Sequence, residues 1–302
     1  MTTVEGLRST QGRAVRDQTA RTRPYVIGIP SAKGGAGKST IALNLAAQLA
    51  EAGHTVTIVD TDFHWWLTRA VIGDDDAMAD GGTIGACLLA PASVRPGILY
   101  AFGGVRSMAD VYLLPGDGAT KRAARRLAGI QNTRYRLRRI AHGLATDVVI
   151  IDGGPIVSNI ADGDDDDDGA PDYIEFMGLS VLQASDLLLL PTQLHQLDVD
   201  GVALALTMIA DKRTAYPEIP DDLLVVPTNY RRVRLQNDAV EVLREALGDS
   251  VTTPIPQSEM AARMGVGHVA VSLRASAACR AALTDLAARV CAHGGLRYDA
   301  VE

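Results

Sequence analysis

The stretch Ser31-Ala32-Lys33-Gly34-Gly35-Ala36-Gly37-Lys38-Ser39-Thr40 leaves this chain few ways to fold. A short apolar run, Tyr25 to Ile29, enters it, and a helical pattern, Ile41 to Ala52, leaves it. Strand, glycine-rich turn and helix N-terminus in that order make a phosphate-binding loop. Glycines let backbone N–H groups approach phosphate oxygens with no Cβ in the way. The first helical turn adds unpaired N–H groups and the positive end of the helix dipole. In such a loop the backbone of Gly34, Gly35, Ala36 and Gly37 cradles the phosphates. Lys38 then lies along the β- and γ-phosphates, the Ser39 hydroxyl is a Mg²⁺ ligand, and Thr40 reaches the α-phosphate.

Beyond the loop, short apolar runs alternate with helical patterns. Strands are expected at Thr55 to Val59, Ile98 to Phe102, Val111 to Leu114, Asp147 to Asp152, Leu187 to Leu190 and Leu223 to Val226. Helices are expected at Ile84 to Leu89, Met177 to Ser185, Asp198 to Ala215, Ala239 to Leu247 and Ser276 to Cys291, with Leu204, Met208 and Ile209 turned inward. This alternation predicts an α/β fold: a doubly wound, mostly parallel sheet with helices on both faces and ligands at the carboxyl ends of the strands. Acids stand at two such ends. One run closes on Asp60-Thr61-Asp62, and Val148-Val149-Ile150-Ile151 closes on Asp152. A carboxylate in the second position holds Mg²⁺ through its water shell, because Mg²⁺ keeps several waters.

Composition narrows the class. Of the 302 residues 47% are hydrophobic but only 4% aromatic, so the core is aliphatic and alanine-rich. Residues 1–24 carry five arginines and no apolar period, which reads as a disordered basic tail ahead of one domain spanning 25–302. Cys87, Cys279 and Cys291 lack metal-ligand spacing and fit buried thiols in a reducing compartment. The N-terminus has no apolar signal core, and no window approaches the ~18 apolar residues of a membrane span. A net charge of −7 argues against a globally basic nucleic-acid binder. Six of the negative charges, however, fall at Asp162 and Asp164 to Asp168, leaving a near-neutral body. Residues 162–172 read as a solvated acidic insertion without the ligand spacing of a Ca²⁺ loop. Lys121 to Arg139 holds eight basic residues and no acid, a solvated helical face with Leu137, Ile140, Ala141 and Leu144 inward. Trp65-Trp66 read as packing residues, with a subunit-interface or partner role as the alternative.

The plain phosphate-loop pattern has Gly where this chain has Ala32, and it lacks Lys33, five residues before Lys38. Lys33-Gly34-Gly35-Ala36-Gly37-Lys38-Ser39 resembles the deviant Walker A motif of the ParA/MinD family of ATPases, and most of all the ParA-type partition ATPases. The resemblance runs in order over roughly 25–292. It implies a P-loop NTPase that binds ATP and Mg²⁺ and forms an ATP-dependent homodimer. In that dimer Lys33 reaches the nucleotide of the opposite subunit. It further implies that Asp62 orients the attacking water, that Asp60 supports the Mg²⁺ and loop region, and that Ser39 and Asp152 serve the metal. Asn229 sits where the family contacts adenine. Arg231, Arg232, Arg234, Arg263 and Arg274 fall on the surface that gives arginines to DNA phosphates, without sequence preference.

By the same resemblance a ParB-like adaptor stimulates slow hydrolysis, and the protein is cytoplasmic and nucleoid-associated, with no membrane contact. Two departures stand out: Phe63-His64 replace the family's Pro-Gln, and Gly153-Gly154-Pro155 replace Thr-Pro-Pro. Two alternatives keep the fold. A small-molecule ligase or synthetase would use the phosphate to activate a carboxylate. A MinD-like membrane regulator would need an amphipathic tail, which Ala292 to Glu302 does not supply.

Overall fold

The computed structural model describes residues 22–31, 35–72, 82–90, 100–101, 110–156, 172–194, 198–258 and 276–298. Residues 1–21 of the expected tail, Lys33, Gly34, nearly all of the acidic insertion, Arg263 and Arg274 lie outside them.

Seven strands form one sheet: β1 (Tyr25–Ser31), β2 (Val56–Asp60), β3 (Tyr100–Ala101), β4 (Val111–Leu114), β5 (Val148–Pro155), β6 (Leu187–Gln193) and β7 (Leu223–Thr228). Their order is β3-β4-β2-β5-β1-β6-β7. Every pairing is parallel except the short edge strand β3, which runs antiparallel to β4. The helices are α1 (Lys38–Glu51), α2 (Trp66–Ile72), α3 (Ile84–Leu89), α4 (Gly118–Leu127), α5 (Tyr135–His142), α6 (Tyr173–Ala184), α7 (Asp198–Ala215), α8 (Arg234–Leu247) and α9 (Ala277–Gly294).

Alternation along the strands sorts the core into two layers. Ile27, Ile29, Ile58 and Ile150 face Leu45 and Leu49 of α1 and Leu286 and Val290 of α9. Val26, Val59, Val149 and Ile151 face Leu127 of α4, Leu137 of α5 and Val181 of α6. The central strands are covered on both sides, which is why they read as continuous apolar runs rather than alternating ones. Small residues set some of the spacings. A Cβ on Gly85 would lie 2.4 Å from the backbone of Ala119 and Thr120, so α3 and α4 meet backbone to backbone only because Gly85 has none.

The doubly wound, mostly parallel sheet with helices on both faces is as the sequence predicts, with several local corrections. α7 buries Val202, Ala205 and Ile209, whereas Leu204, expected inward, is 60% exposed. α8 starts at Arg234, five residues before the expected Ala239. β5 continues through Gly153, Gly154 and Pro155. Trp66, read as a packing residue, is 62% exposed. Leu137, Ala141 and Leu144 are buried as expected.

Candidate nucleotide site at the carboxyl edge

β1 and β5 are neighbours, yet their chains leave in opposite directions. β1 passes through α1 to β2, and β5 passes through α6 to β6 on the other face. The crevice outside such a divergence is where open α/β sheets hold ligands. The described part of the glycine-rich loop sits there. Gly35 and Gly37 have φ of 77° and 93°, a region that L side chains rarely enter. Gly37 is the N-cap of α1 and has no side-chain oxygen to offer, so no side chain caps this end of the helix. The N–H groups of its first turn are left for an anion.

Neighbouring strands brace the loop. The Gln193 amide donates to the Gly35 carbonyl at 2.6 Å. The Thr228 hydroxyl lies 2.9 Å from the Ala36 carbonyl and 3.1 Å from that of Thr192. One turn into α1, the Asn44 amide donates to the Thr40 carbonyl at 2.7 Å.

Three acids and one ammonium converge beside this loop. Lys38 is buried, and its Nζ lies 4.0 Å from Asp62 Oδ2. The other Asp62 oxygen accepts the His64 N–H at 2.9 Å. Asp60 and Asp152 are paired in register across β2 and β5, and both are fully buried. Asp60 is well supplied with donors. Its Oδ2 accepts the Thr68 hydroxyl at 2.6 Å and the Thr68 N–H at 2.9 Å, and its Oδ1 accepts the Asp62 N–H at 3.2 Å.

Asp152 is the opposite case. Neither of its oxygens accepts a well-formed hydrogen bond among the described residues. Burial pushes its carboxyl pKa up, and the nearby Lys38 ammonium and Ser39 hydroxyl oppose that rise. Burial, and then repulsion from Asp152, push Asp60 up too, against the donors on Thr68. A buried, unpartnered carboxylate beside a hydroxyl at a phosphate loop fits a hard divalent cation. Among the described residues no group of three or more His, Cys, Asp or Glu side chains could hold a metal without help. Mg²⁺ is bound through one or two protein oxygens, with phosphates and water completing its shell.

Beside the loop opens a cleft of about 330 Å³, lined by Gly37, Thr40, Asn44, Thr228, Asn229 and Gln257 among others. Asn229 holds a left-handed backbone, φ 53°, directly after β7. The expected DNA-contacting arginines divide. Arg231, Arg232 and Arg234 are exposed. The Arg231 guanidinium donates to the Gln257 side chain at the cleft, and Arg234 lies 3.8 Å from Asp238 one turn along α8.

Sequence reasoning missed Thr68, Gln193, Thr228 and Gln257. For Gln193 and Thr228 a signal existed: each is a polar residue at the carboxyl end of a buried strand. For Thr68 and Gln257 only the tertiary contacts reveal the role.

Known proteins resemble this chain in sequence and in fold. The sequence model of a family described as CobQ/CobB/MinD/ParA nucleotide binding domain matches residues 27–269. Among curated relatives, an iron-sulfur cluster carrier protein of Methanocaldococcus jannaschii is 31% identical over 107 residues. That match covers 35% of this chain and 33% of the relative, so the chain spans about a third of that protein's length.

Among solved structures, an ATP complex of a McdA variant from Cyanothece superposes with a TM-score of 0.70 at 17% identity, over 93% of this chain and 99% of that one. Cobyrinic acid a,c-diamide synthase of Mycobacterium smegmatis, with an ATP analogue and magnesium, gives 0.65 at 23% identity, over 92% and 100%. A putative plasmid partition protein of Borrelia burgdorferi bound to AMPPNP gives 0.64 at 16% identity, over 90% and 98%. At these identities the structures attest the fold.

Proposed function

Because this chain belongs to the CobQ/CobB/MinD/ParA nucleotide-binding family, we propose that it is a Mg²⁺-dependent, dimerising ATPase of DNA partition or cargo positioning. The observation that carries the reading is the convergence of Lys38, Asp62 and the unpartnered Asp152 at an uncapped helix N-terminus. The backbone N–H groups from Gly35 to Thr40 receive the phosphates, and Lys38 exchanges its contact with Asp62 for the β- and γ-phosphate oxygens. Ser39 supplies a hydroxyl and Asp152 a carboxylate to the Mg²⁺ shell. When bound, Mg²⁺ neutralises the charge that builds on the phosphoryl oxygens during transfer. Asp62, released from Lys38, aligns the attacking water. The cleft at Asn229 takes the base. Phosphoryl transfer asks little covalent work of a protein, so positioning and charge neutralisation are the chemistry these residues supply.

Lys33 crosses to the nucleotide of a second copy and ties dimerisation to ATP. The dimer joins the surfaces that carry Arg231, Arg232 and Arg234. Their contacts to DNA phosphate are sequence-independent. Hydrolysis, stimulated by a ParB-like adaptor, releases the DNA. The site of action is the nucleoid.

Light scattering with ATP and Mg²⁺ tests the reading. The unaltered protein is expected to double its mass and to be retained on DNA at low salt, and Lys33→Ala to do neither. Dimerisation unaffected by Lys33→Ala would defeat the cross-subunit role. DNA retention indifferent to ATP would defeat the partition role. A turnover rate raised by a small carboxylate metabolite, but not by DNA and adaptor, would favour the ligase alternative.

A further inference from the structure

The segment that carries Asp62 is held at its far end by a buried relay. The Gly116 N–H donates to the Thr68 hydroxyl oxygen at 2.9 Å. The Thr68 hydroxyl and N–H both donate to Asp60 Oδ2. Asp60 Oδ1 in turn accepts the N–H of Asp62. Thr68 and Asp60 are 1% and 0% exposed, so the relay is shielded from bulk water. The relay thus spans three pieces of chain: the turn after β4, the first turn of α2, and the carboxyl end of β2.

The directions leave little freedom. The Gly116 N–H can only donate, so the Thr68 oxygen must accept it. The single hydroxyl proton then points at Asp60. A fully buried carboxylate is costly unless donors surround it, and Thr68 supplies two of the three seen here. The space is tight as well: a Cβ on Gly116 would lie 2.8 Å from the Asp60 carbonyl oxygen and 3.2 Å from Trp65 Cβ.

We propose that Thr68 is a positioning residue for the hydrolytic step: its hydroxyl locks Asp60, and Asp60, through the Asp62 backbone, sets where the Asp62 carboxylate stands. Among the described residues, Thr68 bonds Asp60 and Gly116 and does not line the cleft. Its loss is therefore expected to slow turnover and spare binding. The inference rests on the ATPase reading above and deepens it, because it says what holds the water-aligning group in register.

The test compares Thr68→Val, Thr68→Ser and Thr68→Ala in the full chain, with Asp62→Ala as the reference for lost hydrolysis. ATP affinity is read by a fluorescent ATP analogue, turnover by phosphate release, and folding by thermal melting. Thr68→Val is expected to bind ATP within about twofold of the unaltered protein and to lose about tenfold or more in kcat. Thr68→Ser, which keeps the hydroxyl, is expected to hold kcat within about threefold. Should Thr68→Val fail to fold, the contrast between Thr68→Ser and Thr68→Ala decides: the inference requires the first to be fast and the second slow.

Full turnover in folded Thr68→Val overturns it. So do equal losses in the Ser and Ala variants, or a loss of ATP affinity that parallels the loss of kcat, since a purely structural residue would produce those. If the unaltered protein does not hydrolyse ATP, the ATPase reading fails first and the inference fails with it. Activity lost in Asp62→Ala but not in the Thr68 variants sinks the inference alone.

Discussion

In the proposed function, Asp152 is a side chain that stores a binding role as a folding cost. Its carboxyl is fully buried, and burial raises its pKa against the opposing pull of Lys38 and Ser39. Asp60, its register partner, rises as well. Between the ordinary carboxyl range near 4 and these raised values, the folded chain holds more protons than the unfolded chain. The sign of the linkage is then fixed: nucleotide-free protein loses stability as pH climbs through that window. Asp152→Asn removes one of the two charges and part of the repulsion on the other. It is expected to stabilise the nucleotide-free protein at pH 7–8 by about 1–3 kcal/mol and to flatten the decline with pH. The same change is expected to abolish the extra stabilisation that Mg²⁺ adds to ATP, because a ligand stabilises only the state that binds it. Thermal unfolding from pH 5 to 8, with ATP and with or without Mg²⁺, measures both effects. A variant less stable than its parent without nucleotide would contradict this account.

Elements show where pattern reading reaches its limit. α1 and β5 announce themselves, one by its glycine-rich entry and the other by four β-branched residues before an acid. α7 does not. The run Val202-Ala203-Leu204-Ala205-Leu206 is apolar on every side, so no phase is preferred, and the packing of α7 against α8 and the sheet selects Val202, Ala205 and Ile209. Leu204→Ala is accordingly expected to shift the urea midpoint by no more than about 0.5 kcal/mol equivalent. Ile209→Ala, at a site with 0% exposure, is expected to cost about 2–4 kcal/mol. The opposite ranking would mean that α7 sits rotated from the position described. α8 makes a related point. Its N-cap, Val233, makes no side-chain cap, and the missing start signal explains why the helix begins five residues ahead of its apolar pattern.

At the scale of the whole molecule, a carboxyl edge crowded with acids sits on a chain with an unfavourable net charge for DNA. In the proposed function, DNA contact therefore falls to local arginines, not to a global field. Arg232 separates this idea from simple charge balance. In the ATP-bound dimer, Arg232→Ala is expected to weaken DNA retention and to reduce the slope of log affinity against log salt by about 1 per lost phosphate contact. ATP turnover without DNA is expected to stay unchanged. Fluorescence anisotropy with duplex DNA over a salt series reads the slope. An unchanged slope would remove Arg232 from the DNA surface.

The sequence alone determined the phosphate loop, the α/β winding and the acids Asp60, Asp62 and Asp152. Those features are written in local order: a run of apolar residues, then a turn or a carboxylate, where the immediate neighbours fix the conformation. Only the tertiary structure decided the phase of α7, the exposure of Trp66, and the relay from Gly116 through Thr68 to Asp60. It also decided which donors reach the loop from β6 and β7. These depend on groups that are 48 residues apart for Gly116 and Thr68, and 192 apart for Thr228 and Ala36. Such pairs meet only after the sheet has assembled, and nothing in the spacing of either partner foretells the other.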